Sequence, residues 1–460
     1  MRHVRPALFV GLVLAALSLA PAGHAAGPLQ TSVYVQEGEV PEDDAGATLF
    51  FRRIRQSGAT AIRLNILWRA VAPSERASEF QPKDPADPAY NWSSSDRLIL
   101  LAVANKLEPL VGVLGAPSWA GGKKVNARAF GEFASAAASR YSGSFEGVPR
   151  VRYWLAWNEP NLSRYLAPQV AKKQLVGAAR YRSMVNAFAT AVHAVRRDNI
   201  VVAGLVAPFT FGSDPGPLKF MRAVLCMSSG SRPKPTCSAR TQFDIWSVHP
   251  YTSGGPRHHA VSPNDASLGD LRETRAILDA AIRAHHVISS RRVQFWVTEF
   301  SWDSKGPDPK GVPLKLEAQW VSEALFRAWQ AGVTMFSWFQ LRDQAQPSPF
   351  QSGLFFGNWT AKPALTAFRF PFVAFKQRKG VSVWGRTPAG KPASVAVERS
   401  TGRAWKRVAT LRTTSAGVFS RVLPLRLSAS SSLRARIAGS KSIPFPLKPP
   451  RDLFVTPFGS

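Results

Sequence analysis

Val151-Arg152-Tyr153-Trp154-Leu155-Ala156, followed at once by Trp157-Asn158-Glu159-Pro160-Asn161, is the stretch on which the fold turns. Its apolar residues fall on both sides of the chain instead of alternating, the pattern of a parallel strand buried on both faces. Pro160 cannot donate a ladder hydrogen bond, so the strand stops there. That leaves the Glu159 carboxylate at the strand's C-terminal end, with an amide before it. Val293-Gln294-Phe295-Trp296-Val297-Thr298-Glu299-Phe300 repeats the design and delivers a second carboxylate, Glu299, to a second strand end.

Working outward, similar runs occur at 32–35, 61–67, 109–114, 200–205, 243–248 and 333–338. Stretches with a helical period separate them, at 45–57, 94–106, 127–141, 171–198, 268–285 and 314–331. Strand and helix alternating in this way predict an α/β chain, a (β/α)8 TIM barrel over 27–375. A doubly wound sheet should carry a glycine-rich phosphate turn after an early strand, and none is present. Beyond Phe375 the pattern changes to short alternating runs, such as 381–384, 393–397, 418–422 and 433–437. Residues 376–460 are therefore expected to form a small antiparallel β-sandwich-like module.

The 460 residues carry a net charge of +30. From Lys376 to Ser460 there are 17 Lys and Arg against two acids, Glu398 and Asp452, which makes the module a candidate contact for an anionic cell-wall polymer or exopolysaccharide. No nucleic-acid-binding signature accompanies the charge. Met1–Ala26 has a basic start, an apolar run and small residues after it, and is read as a secretory signal peptide. No later run is long enough for a transmembrane span, so a secreted protein, extracellular or wall-associated, is expected. Cys226 and Cys237 flank a Ser/Gly/Pro-rich stretch and are expected to form a disulfide. Neither a metal nor a cofactor is implied. The pairs His258-His259 and His285-His286 are read as a loop and a helix end. No Gly-x-Ser-x-Gly turn points to serine hydrolase chemistry.

In a barrel the chemistry lies at the C-terminal strand ends. Those ends carry Arg63 and Asn65, Trp119, Asn158 and Glu159, His249 and Tyr251, Glu299 and Trp302, and Trp338 with Gln340 and Asp343 beyond. Aromatic faces pack against the C–H face of a pyranose, while amide, imidazole and guanidinium groups bind its hydroxyls. Two carboxyl groups are what glycosidic bond cleavage requires, one to protonate the leaving oxygen and one to attack or to activate water.

These motifs resemble the large clan of retaining glycoside hydrolases on a (β/α)8 barrel, the cellulase-like superfamily that includes families 5 and 39. The resemblance covers about residues 30–375. It implies that Glu159 is the acid/base, protonated at rest through a raised pKa, and that Glu299 is the nucleophile. Arg63 and Tyr251 would support Glu299, Asn158 would bind the sugar 2-hydroxyl, and His249 would orient. Trp338 would form a floor for the sugar, with Trp119 and Trp302 as further substrate contacts. The implied activity is a retaining double displacement on a β-linked poly- or oligosaccharide, with endo action as the working mode and exo action open. The competing reading is a non-catalytic polysaccharide- or wall-binding protein on the same barrel. The basic module is expected to be separable, so that removing 376–460 spares catalysis on soluble substrate.

Overall fold

The computed structural model describes residues 27–36, 38–306, 308–345 and 350–455. The expected signal segment, 1–26, lies outside them. Eight parallel strands close a barrel: β1 (Gln30–Tyr34), β2 (Ala61–Leu67), β3 (Glu108–Leu114), β4 (Tyr153–Ala156), β5 (Ile200–Val206), β6 (Ile245–Val248), β7 (Gln294–Val297) and β8 (Val333–Phe339). Each strand pairs with the next in sequence, and β8 closes on β1 with Tyr34 opposite Phe339. Helices return the chain over the outside: α1 (Asp44–Gln56), α2 (Ser93–Ala104), α3 (Ala127–Arg140), α4 (Val176–Val195), α5 (Pro217–Val224), α6 (Leu271–Arg283), α7 (Leu314–Gln330) and α8 (Pro363–Arg369). No helix among the described residues is long and apolar enough to cross a membrane.

The strands are apolar on both sides because each side meets a different core. Ala61, Leu110, Leu155, Ile200, Val202, Ile245, Trp296 and Met335 point inward and plug the lower barrel. Above them, two hydroxyl pairs, Ser32 with Ser337 and Ser247 with Thr298, satisfy each other's hydrogen bonds in a small-residue layer. That layer leaves room above it for larger polar side chains. The outward residues pack under the helices, whose shell is aromatic: Trp68, just after β2, stacks on Phe133 of α3, and Phe130 of α3 stacks on Phe188 of α4.

Helix α4 is shorter than the 171–198 that periodicity predicts. Lys172 and Lys173 adopt positive φ, +48° and +63°, in a tight turn closed by Ala171 and Gln174, which a helix cannot accommodate. At the other end Arg196 is extended.

The β-module has a three-stranded antiparallel sheet, β9 (Phe372–Gln377), β10 (Gly380–Arg386) and β13 (Val418–Leu423). A second sheet is built on β11 (Ser394–Ser400), β12 (Trp405–Arg412) and β14 (Ser432–Ile437). β9 straddles the boundary expected at 375/376. The module docks on α7, where Phe326 and Trp329 meet Phe375 and Trp384 at ring separations of 5.4–5.6 Å. Beyond the module, the chain returns to the barrel mouth. Trp320 Nε1 donates to the Arg451 carbonyl (3.1 Å), Asp452 accepts from the Gly255 amide (2.7 Å), and the Val455 amide donates to the Ser253 carbonyl (2.9 Å). The module is thus bound to the barrel along two fronts.

Beneath β8, Lys362 is fully buried and donates to Asp343 (2.6 Å), Ser304 (2.7 Å) and the Gln351 carbonyl (3.1 Å). Asp343, one of the strand-end residues, therefore serves as a structural counter-ion. Nearby on α7, Glu317 is fully buried with neither carboxylate oxygen hydrogen-bonded among the described residues. Burial pushes its carboxyl up to about 8, with partial relief from Lys362. A folded-state pKa above the unfolded value means that stability falls as pH rises from about 4.5 toward about 8, since only the unfolded chain ionises there. Glu317→Gln is therefore expected to stabilise the protein by a gain that grows through this window at up to about 1.4 kcal/mol per pH unit. Urea denaturation at pH 4, 6 and 8 measures it, and a gain independent of pH would contradict the assignment.

Candidate active site

Arg63, on the inward face of β2, is inaccessible to solvent and organises the barrel mouth. Its Nη1 donates to the Thr298 carbonyl (2.9 Å) and to Glu299 Oε2 (3.1 Å), and approaches His249 Nε2 (3.3 Å). Its Nη2 donates to Asn158 Oδ1 (2.6 Å). The Tyr34 ring lies under the guanidinium, 4.0 Å from centroid to Cζ, and the Tyr34 hydroxyl accepts from Asn65 (2.7 Å). One cation thus ties β2 to the segments that follow β4, β6 and β7. Burial is the main cause that raises the Tyr34 pKa, so its hydroxyl stays neutral.

Glu159 is positioned by backbone geometry. It takes a positive φ of +43°, and its amide donates to the Leu205 carbonyl on β5 (2.9 Å). That carbonyl is aimed by a bulge in β5, where Gly204 has φ +93° and the ladder with β6 shifts register. A Cβ at Gly204 would sit 2.3 Å from the Ser247 carbonyl, so glycine is required there. The Tyr181 hydroxyl donates to the Ala156 carbonyl (3.0 Å) and accepts from the Gly204 amide (2.9 Å), clamping the ends of β4 and β5.

The two carboxylates converge. Oxygen atoms of Glu159 and Glu299 and a ring nitrogen of His249 all lie within 4.8 Å of one another. Glu299 accepts from Arg63 through Oε2 and from the Tyr251 hydroxyl through Oε1 (3.1 Å). Glu159 accepts from His249 Nδ1 through Oε1 (3.3 Å) and from Arg164 Nη2 through Oε2 (2.8 Å). A guanidinium only donates, so His249 Nε2 accepts from Arg63, and Nδ1 carries the ring proton toward Glu159. With two guanidinium groups already facing these carboxylates, the cluster is poorly suited to a metal cation.

The protonation state departs from expectation. Burial raises the Glu159 pKa, but His249 and Arg164 together outweigh it, and the carboxyl is held below the ordinary glutamate range. The Glu159 carboxyl is therefore ionised at neutral pH. Burial raises the Tyr251 hydroxyl far above its usual value, with Glu299 and Glu159 adding to the shift, so Tyr251 is a neutral donor.

The aromatic residues need one correction. Trp338 is fully buried and faces outward from β8, packed against Phe368 of α8 with Nε1 on the Ser352 carbonyl (2.8 Å). Strand parity explains this: Met335 and Ser337 point inward, so the next inward position is Phe339. Phe339 lies beside Tyr34 (5.5 Å) and lines a small pocket with Tyr251, Trp302, Asp303 and Val455. Trp302 is buried edge-on to Phe300, its Nε1 on the Gly254 carbonyl (3.0 Å). Trp119 is half-buried at the rim, with Arg76 over its ring at 5.6 Å. Asn158, nearly buried, has its Nδ2 without a partner among the described residues, so that group remains to meet a ligand.

Sequence reading missed Tyr34, Arg164, Phe339 and Asp303. Burial pushes the Asp303 carboxyl up to about 6. Away from this site, His259 meets Asp270 at 2.6 Å, close to Glu273. The second Asp270 oxygen accepts the Ala260 and Ser267 amides, which is a helix-capping arrangement.

No family model matches the chain, and no curated protein matches it either. Solved structures do. A family 39 glycoside hydrolase from the gut symbiont Bacteroides cellulosilyticus WH2 is similar over 86% of this chain and 81% of its own, with 14% identity and a TM-score of 0.53. A GH39 beta-xylosidase from Caulobacter crescentus is similar over 82% and 83%, with 16% identity and a TM-score of 0.50. A monomeric beta-xylosidase from Caulobacter crescentus CB15 is similar over 86% and 95%, with 15% identity and a TM-score of 0.50. The likeness is one of fold: the chain shares the (β/α)8 architecture of these glycoside hydrolases, as the strand-end motifs imply.

Proposed function

We propose that this protein is a retaining glycoside hydrolase acting on a β-linked poly- or oligosaccharide. The observation that carries the reading is the pair Glu159 and Glu299, facing each other across the barrel mouth with oxygens within 4.8 Å. Retaining enzymes hold their carboxyl groups about 5–5.5 Å apart and inverting ones about 6.5–9.5 Å, so the close pair supports retention.

In this reading Glu299 attacks the anomeric carbon through Oε1, the oxygen that accepts from Tyr251, while Arg63 holds Oε2. The bond from that carbon to the leaving oxygen breaks, and its electron pair goes to the leaving oxygen, which takes a proton from Glu159. Water then attacks the glycosyl–Glu299 ester and gives a proton to Glu159, and Glu299 departs as carboxylate. The free Nδ2 of Asn158 is placed to donate to a sugar hydroxyl. Phe339, not Trp338, takes the platform position. Endo action is the working mode. Export is part of the proposal, supported by the Met1–Ala26 sequence and by the bonded Cys226–Cys237 pair. So is an anionic wall contact, supported by the basic module.

One observation favours the alternative, a polysaccharide-binding protein. Glu159 is tied by Arg164 and His249, and an acid must first be released. Reducing-end release from a panel of β-linked polysaccharides separates the two. Wild type is expected to cleave a member, and Glu299→Gln to lose roughly three orders of magnitude or more. Equal activity in both would remove Glu299 from the mechanism, and silence in both with retained glycan binding would favour the alternative. Product NMR on the cleaved member should show the anomeric configuration of the substrate, and an inverted product would exclude the covalent route.

The pH dependence follows from the lowered Glu159 pKa. Less of the free enzyme carries the acid's proton as pH rises, so kcat/KM on neutral substrates should already decline at a pH below the usual glutamate value. Glu159→Gln should abolish that limb, and a limb that persists in the variant would take the acid role away from Glu159.

A further inference from the structure

Arg164 lies in the turn that follows Glu159. Its side chain is 65% exposed, stands over the Tyr165 ring (4.8 Å to centroid), and still reaches inward to Glu159 Oε2 at 2.8 Å. The other Glu159 oxygen accepts from His249. Both oxygens therefore face donors. The Arg164 charge on Oε2 opposes protonation of Glu159 and occupies one face of that oxygen, so the acid form is disfavoured while Arg164 stays in place. An exposed guanidinium is readily drawn away by another anion, which it grips through two parallel N–H donors.

The surroundings are suited to such an anion. The loops after β3 and β4, residues 118–126 and 158–175, touch where the Ala167 amide meets the Lys123 carbonyl (2.9 Å). They expose Lys123, Lys124, Arg164, Lys172 and Lys173, and their one acid is the buried Glu159. A ligand entering over these loops meets mostly cations, with Asp214 of the loop after β5 held on Ser163 by two hydrogen bonds.

We propose that Arg164 is a positioning and specificity residue: an anionic group on the substrate, a carboxylate or a sulfate, takes Arg164 from Glu159 and so frees the acid to accept a proton. The inference rests on the glycosidase reading and narrows its substrate to an acidic glycan. The groups facing Glu159 are Arg164 and Tyr165 from its own loop, His249 and Tyr251 after β6, and Glu299 after β7. Burial pushes the Tyr165 hydroxyl up to about 12, and Tyr251 is likewise neutral, so neither replaces the lost positive charge. With Arg164 withdrawn, burial and the Glu299 carboxylate favour the protonated acid, against the hydrogen bond from His249 and the nearby Arg63 guanidinium, which Glu299 already partners.

The test compares β-linked glucan oligosaccharides in neutral, C6-oxidised (uronate) and sulfated forms. Wild type should favour at least one acidic form by tenfold or more in kcat/KM, and the alkaline limb of kcat should lie above that of kcat/KM on that form alone, because only the complex has released Arg164. Arg164→Gln should bring the acidic-to-neutral ratio near one and merge the two limbs, while Arg164→Lys should keep part of the ratio. Which acidic form is preferred tells carboxylate from sulfate. If the oligosaccharides are cleaved with a ratio that Arg164→Gln leaves unchanged, this proposal falls and the glycosidase reading stands. Calorimetric binding to Glu299→Gln covers the case in which nothing is cleaved. Selective binding of an acidic form, lost on adding Arg164→Gln, supports Arg164 as the anion contact without the hydrolase, and equal binding of all forms overturns it.

Discussion

A guanidinium without access to water needs partners, and Arg63 finds them, for both terminal nitrogens and for its face, in four parts of one barrel mouth. Thr298 and Glu299 follow β7, His249 follows β6, Asn158 follows β4, and Tyr34 ends β1. Leaving such a charge unmatched is far more unfavourable than burying an apolar side chain of similar size is favourable. The constraint therefore runs outward from the cation. It requires the small-hydroxyl layer beneath it, the bulge that brings Leu205 to the Glu159 amide, and the orientation of both carboxylates. Glu299, Asn158 and His249 serve the proposed chemistry and also meet Arg63, so site geometry and fold stability share those contacts.

Much of this was legible in the sequence. Parallel strands buried on both faces advertise themselves by continuous apolar runs; one carboxylate at the end of such a run is ordinarily a structural counter-ion, as Asp343 is, but two of them at two strand ends are not. Glu159 and Glu299 stood out for that reason. The same continuity hid the parity of β8. Where both faces are apolar, nothing in Thr334-Met335-Phe336-Ser337-Trp338-Phe339 declares which side is inside, and the larger ring, Trp338, proves to face outward. The hydroxyl pairing of Ser337 with Ser32 settles the question in space, but it joins residues at opposite ends of the barrel sequence. Arg164 had no legible signal, since a cation in a turn is ordinarily solvated. The truncated start of α4 was equally silent, because Lys172 and Lys173 are unremarkable in a helical stretch until their left-handed backbone is seen.

The electrostatics divide the two carboxylates by environment. Glu299 is held by a buried guanidinium and a phenol that stays neutral, partners with little freedom to leave. Glu159 is held by a histidine below and by an arginine largely in solvent above. One carboxylate is thus fixed and the other is conditionally fixed, an asymmetry suited to groups with unequal tasks. The asymmetry arises from depth alone, since Arg63 is on a strand and Arg164 on a turn.

The segment 451–455 carries a consequence for how the molecule is assembled. It rests on Trp320, Gly255 and Ser253, and Val455 closes one side of the pocket shared by Tyr251, Trp302 and Phe339. A nascent chain could complete all eight barrel strands and still lack that side. The mouth acquires its final outline only after the β-module has been synthesised and docked, so a protease that trims beyond the module would reshape this pocket while leaving the barrel core intact.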